Sequence, residues 1–161
     1  MGQKTPKKTL AARRLDSLGL AYELISYEPG PLLSAVEAAD LLSLPREMVF
    51  KTLLLRGDRQ GLLEACLPAE LELDLKTLAQ TSDNKKVSMT TVKELTKLTG
   101  YLRGGCSPLG GLRDYPVFLD ESAVKLEKIA INAGARGLLF LMDPQDLILA
   151  TQATVASIAQ R

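Results

Sequence analysis

Residues 100–110 read Gly-Tyr-Leu-Arg-Gly-Gly-Cys-Ser-Pro-Leu-Gly, and neither a regular helix nor a strand can run through them. Their glycines lose the most backbone entropy on ordering, and Pro108 lacks a donor. In a compact chain such an interruption is either a connection or a loop that meets a ligand. Glycines let a backbone approach a ligand closely and let successive N–H groups converge on an anion or a carbonyl oxygen. Composition alone leaves both readings open.

The flanking segments carry readable start and stop signals. Thr5-Pro6 reads as a cap and first position of a helix with Leu10, Ala11, Arg14, Leu15 and Leu18, closed by Gly19. Residues 20–27 read as a strand and 28–31 as a turn. Ser34 with Glu37, and Thr91 with Glu94, form capping boxes, the second opening a helix that ends before Gly100. Residues 48–55 are the clearest strand. With turn residues 56–61 and the apolar run 62–68 they predict a β-hairpin. Asp74 caps a short helix to about Gln80, and 85–89 read as a short strand. Further strands are expected at 117–120, 128–132 and 137–142, with a helical turn at 122–127. Asp143-Pro144 opens a last helix expected to reach about residue 160, its inner stripe including Leu147, Ala150, Thr151, Thr154, Val155 and Ile158. The pattern predicts an α+β fold, a sheet of about six strands with helices around it. One domain is expected over 1–161, with 1–8 as a flexible basic tail.

Charge and residue usage narrow the chemistry. The net charge of +1, from 20 basic and 19 acidic residues, excludes a strongly basic nucleic-acid binder but leaves room for a transient RNA contact. No apolar run is long enough to cross a membrane and no signal peptide is present, so the expected location is cytoplasmic. There is no histidine, which removes histidine-based triads, general bases and metal sites. Two cysteines make neither a disulfide framework nor a zinc site, and neither a metal nor a cofactor is expected. Catalysis would have to use lysine, carboxylates, hydroxyls, backbone dipoles, water or the substrate's own groups.

Three positions stand out. Lys51 lies inside a strand and shares a face with Val49, Leu53 and Leu55. It is either an edge lysine that snorkels or a cation lining a polar cavity. Cys106 beside Ser107 reads as a small apolar filler before it reads as a nucleophile. Ser107 can stabilise the turn at Pro108 or bind a ligand, and Arg136 is either a solvated hairpin-tip arginine or an anion contact.

Phe-Lys-Thr-Leu at 50–53, Thr-Gly-Tyr-Leu-Arg-Gly-Gly-Cys-Ser-Pro-Leu-Gly at 99–110 and Ala-Gly-Ala-Arg-Gly-Leu at 133–138 occur in the order and spacing of the YbaK family. The chain resembles these free-standing aminoacyl-tRNA deacylases, which are related to the editing domain of bacterial prolyl-tRNA synthetases. The resemblance implies a mixed α/β domain whose sheet curls round a small pocket. It implies hydrolysis of the ester joining a wrong amino acid to tRNA, most often Cys on tRNA(Pro). The partner is then the aminoacylated acceptor end of tRNA, with prolyl-tRNA synthetase as a further partner. By the same resemblance Lys51 holds the substrate near the tRNA 3′ end. Gly104, Gly105 and Ser107 form the loop beside the ester carbonyl. Tyr27, Phe50, Thr52, Asn132, Gly134 and Arg136 are substrate contacts. The implied chemistry needs no protein nucleophile: the substrate thiol attacks its own ester and loop amides stabilise the oxyanion.

Leu139 departs from the family pattern, which has Asp or Gln there, and Asn132 stands where Ser is common. An apolar Leu139 favours a small apolar side chain, so Ala-tRNA(Pro) or another small aminoacyl-tRNA is an alternative substrate. A non-catalytic module binding tRNA or a synthetase is the alternative of another class.

Overall fold

Short helices and strands alternate in the computed structural model, which describes residues 8–30 and 34–161. Helix α1 (Leu10–Ser17) is capped by Thr9, whose hydroxyl accepts from the Ala12 N–H at 3.1 Å and donates to the Ala133 carbonyl at 2.6 Å. Thr5-Pro6, expected to open this helix, and most of the expected basic tail lie outside the described residues. Strand β1 (Glu23–Ser26) follows, then α2 (Ala35–Leu41), opened by the Ser34–Glu37 capping box. A single 3₁₀ turn (Arg46–Met48) leads into β2 (Val49–Gly57), which forms the expected hairpin with β3 (Gly61–Pro68). Next come α3 (Leu75–Thr81), β4 (Val87–Met89) and α4 (Val92–Thr99), the last closed by Gly100 in the left-handed conformation. After the glycine loop come β5 (Val117–Asp120), a 3₁₀ turn (Glu121–Lys125), β6 (Ile129–Ala135) and β7 (Leu138–Met142). Helix α5 (Pro144–Thr151) and β8 (Thr154–Ala156) complete the described chain.

The strands form one mixed sheet in the order β1-β7-β6-β2-β3-β5-β8, with β4 also on β2. Among the described residues eight strands thus stand where about six were expected. The last helix is shorter than expected. It stops at Thr151, Gln152 takes a left-handed φ of 56°, and Thr154–Ala156 pair in parallel with β5. Thr154 and Val155 are therefore exposed strand residues rather than an inner stripe. Asp120 explains the change of course. Fully buried, it accepts from the Ile158 and Ala159 amides at 3.0 and 3.1 Å and pairs with Arg161 at 2.6 Å. Asp120→Ala would leave those buried amides without an acceptor. It is expected to lower stability by about 2 kcal/mol, read as a drop in denaturation midpoint.

Strand alternation divides the core between the two sheet faces. Phe50, Cys66, Ile131, Phe140 and Leu119 face α1, α5 and the glycine loop. Leu55, Leu63, Ala65 and Leu67 face α3, while Val49, Ala130 and Leu139 pack with α2. The sheet is therefore covered on both sides. It opens where β2 and β6 part: their parallel pairing covers only Val49–Ala130 and Phe50–Ile131.

Candidate active site

A cleft of about 820 Å³ occupies that opening. Its floor is β2 from Val49 to Leu54. One end is closed by Tyr27, Ala35, Ala38 and Leu139, the other by Met89, Val92 and Leu95, and the glycine loop forms a side. Lys51 rises from the β2 face that packs α2 and α3, while Thr52 points to the opposite face with its hydroxyl 3.6 Å from the Cys66 sulfur. Lys51 is half-buried. Burial lowers its ammonium below the ordinary lysine value, with Glu72 pulling weakly the other way.

The loop is shaped by three attachments. The Tyr101 hydroxyl donates to the Leu109 carbonyl, which closes the loop on itself. Asn132 donates to the Gly104 carbonyl at 2.9 Å and the Ala135 carbonyl at 3.1 Å, and accepts from the Gly134 and Ala135 amides at 2.7 and 3.2 Å. Arg136 donates to the Arg103 carbonyl at 2.8 Å. The loop consequently lies flat on the β6–β7 turn. A Cβ on Gly105 would stand 2.9 Å from the Arg136 nitrogen, so only glycine permits this approach.

Of the residues expected at the site, Tyr27, Phe50, Lys51, Thr52, Gly104, Asn132 and Arg136 line the cleft, whereas Gly105, Ser107 and Gly134 do not. The Gly105 N–H donates to the Leu102 carbonyl at 2.8 Å. The buried Ser107 hydroxyl accepts from the Leu109 N–H, and Gly134 lies beneath the Tyr101 ring. Asn132 has both donors and both acceptor sites engaged by the backbone, so it positions the loop. The cleft-lining loop residues Arg103, Gly104 and Cys106 have amides with no protein acceptor among the described residues. Cys106 is buried, and desolvation pushes its thiol well above the ordinary cysteine value, which keeps it protonated and non-nucleophilic.

Two features carried little sequence signal. Met89, Val92 and Leu95 bear no chemistry of their own, so nothing marked them as a cleft wall. Glu64 was hidden inside an apolar run. It is buried, its Oε2 has no hydrogen-bond partner among the described residues, and burial followed by repulsion from Asp114 pushes its pKa up to about 8. A carboxylate in the middle of a continuous apolar strand is the signal that could have found it. Among the described residues no group of three or more Asp, Glu, Cys or His is placed to hold a metal, and no helix is long and apolar enough to cross a membrane.

Comparison with known proteins bears on this geometry. Residues 30–149 match the model of the aminoacyl-tRNA editing domain. The chain is 36% identical to the "Putative Cys-tRNA(Pro)/Cys-tRNA(Cys) deacylase EbsC" of Enterococcus faecalis, over 99% of this chain and 98% of the relative. It is 26% identical to the "Prolyl-tRNA editing protein ProX" of Acetoanaerobium sticklandii, over 87% of each. A solved structure described as a "putative trans-editing enzyme for prolyl tRNA synthetase" superposes with a TM-score of 0.83 at 24% identity, over 96% of this chain and 100% of the other, and so shares the fold. By the family match and the full-length similarity to EbsC, this chain belongs to the aminoacyl-tRNA editing domain family, of the YbaK type.

Proposed function

We propose that this chain hydrolyses, in trans, the ester joining a wrong amino acid to the 3′ end of tRNA, with Cys-tRNA(Pro) as its substrate. The observation that carries the reading is a single cleft that brings Lys51 together with the unengaged amides of Gly104 and Cys106. The names of two relatives agree with this reading: "Putative Cys-tRNA(Pro)/Cys-tRNA(Cys) deacylase EbsC" and "Prolyl-tRNA editing protein ProX". Lys51, a cation in a partly desolvated wall, attracts the phosphate or ribose end of the acceptor strand. The loop amides lie where a carbonyl oxygen gains negative charge, the arrangement that accelerates acyl transfer. The substrate thiol forms the new S–C bond, the C–O bond to the ribose breaks, and the thiol proton ends on the ribose oxygen. Water then opens the cyclic thioester. The reaction takes place in the cytoplasm on charged tRNA, and prolyl-tRNA synthetase delivers the substrate.

A second substrate is favoured by one feature. Leu139 is buried in the cleft wall with Ala35, Ala38 and Val49, a surface suited to a small apolar side chain such as alanine. tRNA(Pro) charged in turn with Cys, Ala and Ser separates the two. Fastest release of Cys supports the thiol route, fastest release of Ala supports the apolar wall, and equal release of all three contradicts selection by this pocket. Asn132→Ala unties Gly104 from the β6–β7 turn and is expected to slow release roughly 10-fold through loss of positioning. Single-turnover rates check this, and an unchanged rate removes Asn132 from the loop's support.

A further inference from the structure

Strand β2 pairs with β3 over nearly its whole length, from Phe50 opposite Pro68 to Gly57 opposite Gly61. On its other side it is paired, among the described residues, only near the ends, by β6 at Val49 and Phe50 and by β4 at Leu55–Gly57. Residues 51–54 lie between these partners, and all four line the cleft. Within a strand the N–H and C=O of one residue point the same way, and successive residues alternate. Two bonds fix the phase. The Val49 carbonyl accepts from Ala69 at 2.8 Å on the β3 side. The Leu54 carbonyl accepts from the Thr90 amide at 3.2 Å and hydroxyl at 2.9 Å on the other. Lys51 and Leu53 therefore turn their polar groups to β3. Thr52 turns its N–H and C=O to the side where the sheet is open.

An aminoacyl ester carries one residue's worth of strand-pairing groups, an α-ammonium donor and a carbonyl acceptor. We propose that the Thr52 main chain binds these two groups, its carbonyl accepting from the α-ammonium and its N–H donating to the ester carbonyl, as in one residue pair of an antiparallel ladder. The inference rests on the deacylase reading of the cleft. It adds that recognition reads the amino acid's backbone independently of its side chain. The ester carbonyl then lies between the Thr52 amide and the loop amides, so charge developing on its oxygen is met from two walls. An acylated amino group has lost its charge and cannot make the charge-assisted bond to Thr52, so N-blocked aminoacyl esters are refused.

The test uses the unmodified, ¹⁵N-labelled protein and the stable amide analogue 3′-deoxy-3′-(L-cysteinylamino)adenosine. The expected result is a shift of the Thr52 amide resonance and at least ~10-fold slower hydrogen exchange at that amide on saturation, as an open group becomes bonded. The N-acetylated analogue is expected to bind ~10- to 100-fold more weakly, the worth of one hydrogen bond to a charged group. Binding that shifts Gly104 and Cys106 but leaves Thr52 exchange unchanged, or equal affinity for the acetylated analogue, overturns the inference and spares the deacylase reading. No shift at any cleft amide with millimolar analogue overturns both.

Discussion

Lys51→Ala is expected to lower the single-turnover rate of cysteine release from Cys-tRNA(Pro) by roughly 10²- to 10³-fold, about 3–4 kcal/mol of transition-state stabilisation. The size follows from position. Among the described residues three cations line the cleft, and Arg103 and Arg136 are exposed, with one Arg136 nitrogen already engaged by the Arg103 carbonyl. Lys51 alone of the three is half-buried, where a charge acts through less water and its attraction for an anion is stronger. The loss is confined to function. Lys51 forms no ion pair among the described residues, and burial already disfavours its charged form, so the variant should melt no lower than the parent. A variant that keeps its rate removes Lys51 from the chemistry. One that loses both rate and fold makes Lys51 a structural residue.

The largest expected effect on stability belongs to Glu64. Its ordinary carboxyl value is 4.5, and desolvation, with Asp114 adding to it, raises the folded value to about 8. Between these limits the folded chain holds a proton that the unfolded chain releases. The Glu64 contribution to stability is therefore complete at acid pH and falls as pH rises from about 4.5 towards 8, at about 1.4 kcal/mol per pH unit through the middle of that range. Glu64→Gln cannot ionise. Its stability relative to the parent should grow by about 2–3 kcal/mol between pH 5 and pH 7, whatever offset the new amide introduces. Denaturant unfolding of both proteins at several pH values reads this directly, and a constant offset contradicts it. Burial holds both neighbouring thiols, Cys66 and Cys106, protonated, Cys66 with a pKa raised to about 12, and an ionised Glu64 pushes both further in the same direction.

What the sequence made legible was local or carried by a motif. The Ser34–Glu37 and Thr91–Glu94 boxes and the Asp143–Pro144 start act over three or four residues, so neighbouring residue types suffice to read them. The β2–β3 hairpin has turn chemistry between two apolar runs. The end of α5 did not yield, because residues 147–158 keep a helical apolar spacing. What bends them into β8 is the Asp120 carboxylate, which meets the Ile158 amide from 38 positions away. The site divides in the same way. The glycine loop and Lys51 stand out by residue type. Which loop amide is free depends on a turn bond from Gly105 to Leu102 and on an asparagine clamped from another strand. The open edge at Thr52 exists because β6 bulges between Asn132 and Ala135 and leaves β2 after Phe50, a register fact with no signature in β2 itself.

Release of labelled cysteine from pre-charged Cys-tRNA(Pro) reads whether this cleft cleaves an aminoacyl ester. The purified chain is expected to release cysteine well above the spontaneous rate, and Lys51→Ala to nearly abolish that release. A folded protein that binds tRNA yet releases neither Cys, Ala nor Ser from tRNA(Pro) faster than buffer would contradict the deacylase reading.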